Sequence, residues 1–73
     1  MTGRATDLRG YISSLNDLCA LVAPRISEHT RGVVVDLIGE MYEALDRGDL
    51  PELVRLAELV EHTVARDLGG GHA

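Results

Sequence analysis

The side chains of this chain that could do chemistry are few and scattered. Asp36, Glu40 and Glu43, followed by Arg47, recur at spacings of four, three and four residues, which on a helix makes one stripe. Glu58 and His62 form a second pair, four apart. Carboxylates combined with histidine are the donor set of a di-metal centre, where a Glu-x-x-His motif faces into a helix bundle. Here the spacing is Glu-x-x-x-His, and all these groups point away from the apolar stripe of their own helix. Such a site would have to assemble between two copies, and a solvated face with i,i+4 pairs is the plainer expectation. His29, His62, His72 and Cys19 have no zinc-ligand spacing. Ser27, His29 and Asp36 are the residue types of a hydrolytic triad, without a nucleophile elbow or oxyanion hole to go with them. The expectation is a protein with no catalytic residue, no metal and no cofactor.

Length and composition agree with that expectation. Seventy-three residues hold one small domain, too short for a two-lobed enzyme. The chain is 45% hydrophobic and 26% charged, as a folded domain is, but its only aromatics are Tyr11 and Tyr42. Its core must be built from leucine, valine, isoleucine and alanine. The net charge is −5, with four arginines against three acids in residues 1–31 and three against nine in residues 32–73. An acidic domain repels phosphate backbones and anionic membranes, so neither nucleic acid nor membrane is an expected partner. With one cysteine, no secretory leader and no apolar run of membrane-spanning length, the expected setting is the cytoplasm.

Three elements must position these groups. The spacing predicts a first helix over about 6–23, with Thr6 or Asp7 as N-cap and Leu8, Tyr11, Ile12, Leu15, Leu18, Cys19 and Val22 on one face. Leu21 points away from that face. Pro24 closes the segment. A second helix over 26–47 carries Ile26, Val33, Val34, Leu37, Ile38, Met41, Ala44 and Leu45. Either Pro24 starts it directly, or residues 24–29 make a short turn and Thr30 caps the main helix. Gly48 then occupies a left-handed cap position, and Asp49-Leu50-Pro51-Glu52 has the spacing of a capping box that opens a third helix over 50–68. Leu50, Leu53, Ala57, Val60, Val64 and Leu68 share its inner face. The fold class is all-α, a small antiparallel three-helix bundle forming a single domain, 1–73, with flexible ends at 1–5 and 69–73.

In size and acidity the chain is similar to the acyl carrier proteins. That family attaches its prosthetic group at an Asp-Ser-Leu, and here the nearest serine stands in Ile26-Ser27-Glu28. The likeness is confined to size and charge, and it implies no activity. The stretch before the second helix also has the look of a helix-turn-helix. However, the helix it feeds reads Val33-Val34-Val35-Asp36-Leu37-Ile38-Gly39-Glu40, apolar and acidic where a DNA-reading helix needs arginine, asparagine or glutamine. A transcriptional regulator or antitoxin-like protein is the alternative that reading leaves.

The second helix has more apolar surface than one neighbour needs. Val35 and Tyr42 lie about 100° or more from the centre of its stripe, Ile38 and Leu45 join the two zones, and Gly39 leaves room for a close approach. Leu59 sits outside the apolar stripe of the third helix. Two expectations follow. Either the second helix is central, covered by the other two, or Val35, Ile38, Gly39, Tyr42, Leu45 and Leu59 form an interface with a second copy or a protein partner. Asp36, Glu40, Glu43 and Asp46 would rim it with acid. The expected function is a non-enzymatic interaction module working through helix packing, as a homodimer or as a subunit or adaptor of a larger complex.

Overall fold

A computed structural model describes residues 3–69, and these form an all-α three-helix bundle. Helix α1 is Gly3–Val22, a 3-10 turn spans Ala23–Arg25, α2 is Glu28–Arg47 and α3 is Leu50–Gly69. Parts of the expected flexible ends, residues 1–2 and 70–73, lie outside the described residues. The first helix begins at Gly3 rather than Thr6, so neither Thr6 nor Asp7 is its cap.

Of the two turns expected at Pro24, the separate short one is present, but Thr30 does not cap the helix that follows. Pro24 sits early in the 3-10 turn, where its missing N–H costs nothing. Ser27 is the N-cap of α2: its Oγ accepts from the Thr30 amide at 3.1 Å and donates to Thr30 Oγ1 at 3.0 Å. Thr30, one turn inside, is buried with its hydroxyl satisfied. Arg31 latches the turn from below, donating to the Ala23 carbonyl at 2.7 Å and the Ile26 carbonyl at 3.0 Å.

The link between α2 and α3 follows the sequence closely. Gly48 has φ 73°, the left-handed region where a side chain is penalised. Its N–H donates to the Leu45 carbonyl and that of Asp49 to the Ala44 carbonyl, the paired bonds of a Schellman cap. Asp49 caps α3 by accepting from the Glu52 amide at 3.3 Å. The reciprocal half of the expected capping box is missing, because the Asp49 N–H is already bound. The Glu52 carboxylate instead takes two bonds from Arg55, at 2.8 and 2.6 Å.

The core runs through Ile12, Leu15 and Cys19 of α1, Val34, Ile38, Met41 and Ala44 of α2, and Leu53, Leu56, Ala57 and Val60 of α3. Leu56, absent from the expected α3 stripe, is fully buried. Packing is uneven. Helices α2 and α3 lie against each other along their length, whereas the backbone of α1 stands further off, above all from α3. Helix α1 reaches the core through Ile12, Leu15 and Cys19.

Candidate functional site

The expected interface on α2 is mostly occupied from within the chain. Ile38 belongs to the core at 5% exposure, and Tyr42 and Leu45 pack against it. The guanidinium of Arg9 on α1 sits 5.8 Å from the Tyr42 ring centroid and reaches on to Asp46 at 3.2 Å. This flank of α2 is thus where α1 lies, as in the first of the two expectations. What stays open is Val35, 66% exposed, and Gly39, around which nothing lies within 4 Å of where a side chain would begin. Leu59 is exposed on α3. Of the acidic rim, Asp36, Glu40 and Glu43 are solvated, and Asp46 is paired with Arg9.

The larger apolar opening is elsewhere, between α1 and α3. Because α1 stands off, its outer leucines have nothing opposite them. Tyr11, expected in the core, is exposed, and Leu18 is 59% exposed. Leu21 on α1 is 75% exposed, and Val54 on α3 is 54% exposed. Two stretches make one groove. The first is lined by Leu15, Leu18, Cys19, Val22, Val60, Glu61, Val64, Ala65 and Leu68. The second is lined by Leu8, Tyr11, Leu53, Val54, Ala57, Glu58 and Glu61. Leu8, Tyr11, Leu15, Leu18 and Val22 recur at three and four residues, as do Val54, Ala57, Glu61, Val64 and Leu68, so each wall is a heptad seam. A sequence count of exposed leucines would not have found this groove. The heptad on α1 is visible in the sequence, but periodicity alone does not say which of its members the other helices cover.

Glu61 belongs to both stretches and marks their junction. Burial, and then the charge and hydrogen bond of the Glu61 carboxylate, raise the pKa of the Tyr11 phenol above its ordinary value. Burial likewise pushes up the thiol of Cys19 at the floor of the groove, which keeps it protonated and unreactive.

The potential chemical groups are not brought together. Ser27 is committed to its helix cap, and His29, His62, Asp36 and Glu58 are exposed. Among the described residues, no three His, Cys, Asp or Glu side chains are grouped to hold a metal ion. None of the described helices is long and apolar enough to cross a membrane. No protein-family model, curated protein or solved structure matches the chain.

Proposed function

We propose that this chain is a non-enzymatic protein–protein interaction module that acts through helix packing, as a homodimer or as a subunit of a larger complex, with the α1–α3 groove as its contact surface. The observation that supports this is the pair of half-open heptad seams, with Leu18 and Val54 each more than half exposed beside a small core. An aliphatic core of this size leaves only a few kcal/mol of net stability, and covering the groove would add burial that the isolated chain lacks. The solvated carboxylates of α2 and α3 then set encounter rate and register more than affinity.

The test is photo-crosslinking in the native cell, with a benzophenone amino acid replacing Leu18 in one variant and His62, exposed on α3, in another. Discrete adducts from position 18 and none from position 62 are expected. Equal labelling from both, or none from position 18, would overturn the reading.

A further inference from the structure

A second crevice lies on another side of α1, between its C-terminal half and the start of α2. We propose that it binds an aliphatic carboxylate of about six carbons, with the head on Arg31 and the tail along an apolar wall. Only Cys19 is common to this crevice and the α1–α3 groove, so the site is independent of the contact surface proposed above.

The wall is built from Cys19 and Ala20 of α1, Ala23 and Ile26 at the turn, and Val34 and Val35 of α2. It gives a use to Val35, which the core leaves exposed. The cavity measures about 160 Å³ and is open to solvent on one side. An apolar cavity of about 150 Å³ holds a benzene ring, so a chain of about six carbons fits.

Among the described residues that line the crevice, Arg31 is the charged one. Its Nη1 donates to the carbonyls of Ala23 and Ile26, and both residues line the crevice, so the guanidinium is held at the rim. With Nη1 committed, the Nε–Nη2 edge remains, and among the described residues no protein acceptor or carboxylate meets it. That edge is a two-pronged donor matched to the two oxygens of a carboxylate. Arg55 shows the match within this chain, its Nε and Nη2 donating to the two carboxylate oxygens of Glu52 at 2.8 and 2.6 Å. Arg31 presents the same fork, fixed in advance by the turn, which lowers the entropy lost when an anion docks.

Neither half of the site suffices alone. A carboxylate gains little over water at an exposed arginine, and an alkane has nothing to orient it. An apolar wall with one placed polar group selects a molecule that has both ends.

The experiment titrates hexanoate into the isotope-labelled full chain and follows the backbone amides and arginine Nε–H groups by NMR. Hexanoate is expected to saturate with a dissociation constant of about 1 mM, shifting Ala20, Ala23, Val35 and the Arg31 Nε–H. Acetate, which lacks the tail, and hexanol, which lacks the charge, should each bind about tenfold or more weakly. Val35→Glu places a carboxylate four residues after Arg31, where it competes for the fork, and should weaken hexanoate about tenfold with circular dichroism unchanged. Arg31→Gln should weaken it as much, but it also releases the turn, so Val35→Glu carries the test. Equal affinity for hexanol, shifts centred on Leu18 and Val64 instead of this crevice, binding indifferent to Val35→Glu, or no saturation by about 20 mM would each overturn the proposal. The reading of the α1–α3 groove as a contact surface survives any of these.

Discussion

The α2–α3 hairpin and helix α1 are built from similar residues but held in different ways. In the hairpin, Gly48 and Asp49 fix the turn with backbone bonds, and the two helices meet at close range. Helix α1 enters the same core through Ile12, Leu15 and Cys19 but leaves Tyr11, Leu18 and Leu21 uncovered. The lesson is that one chain can hold both a closed interface and a half-finished one, and that the unfinished side is where a partner can add most.

The strongest challenge to this contrast is a core truncation in the hairpin. Leu56→Ala removes a fully buried side chain and should cost about 2–5 kcal/mol, enough to unfold much of so small a domain, as followed by urea denaturation. If the loss is under ~1 kcal/mol, the hairpin is not the stable half. Hydrogen exchange examines the other side of the comparison. Amides in the middle of α1 are expected to exchange about tenfold or more faster than those of α2 and α3, through an opening that leaves the hairpin intact. Uniform protection would mean that the three helices open as one. Gly48→Ala should cost about 1 kcal/mol, because the cap needs a positive φ and not because space is short, and a thermal melt reads it.

The smallest effect concerns pH. The folded Cys19 thiol has a raised pKa, so the native state holds its proton more tightly than the unfolded chain does. Its contribution is fully present below the ordinary value of 9.0 and is lost as pH rises through the higher folded value. Stability should therefore fall in this alkaline window, and Cys19→Ala should flatten that part of the profile. A flat wild-type profile above pH 9 would place the thiol in water rather than at the floor of the groove.

The sequence carried local signals further than tertiary ones. Gly48, Asp49 and Pro51 announce the second turn because a left-handed cap and an N-cap each depend on one or two neighbouring residues. The first turn was harder: Ser27 and Thr30 both suit a cap, and only the described backbone separates them. Periodicity marks a wide apolar arc on α2 but does not say which element covers it. Ile38, Tyr42 and Leu45 are taken up by the shared core, with Arg9 of α1 over Tyr42, and that depends on where the other helices settle rather than on α2. For the same reason Tyr11 and Leu18 read as core although both are exposed. Leu56 was readable, three residues after Leu53 and four before Val60, but a single narrow stripe on α3 left it out.

One hydrogen bond ties the end of α3 back to the start of α2. Asp67, near the end of α3, accepts from the backbone N–H of Ser27 at 2.7 Å, forty residues away. A carboxylate is poorly placed at the C-terminal end of its own helix, yet here it meets the positive N-terminal end of α2. The consequence is kinetic. The start of α2 gains its last partner only after α3 has formed along nearly its whole length and folded back. The bond therefore forms late, and Asp67→Asn should act chiefly on the unfolding rate while leaving the folding rate almost unchanged.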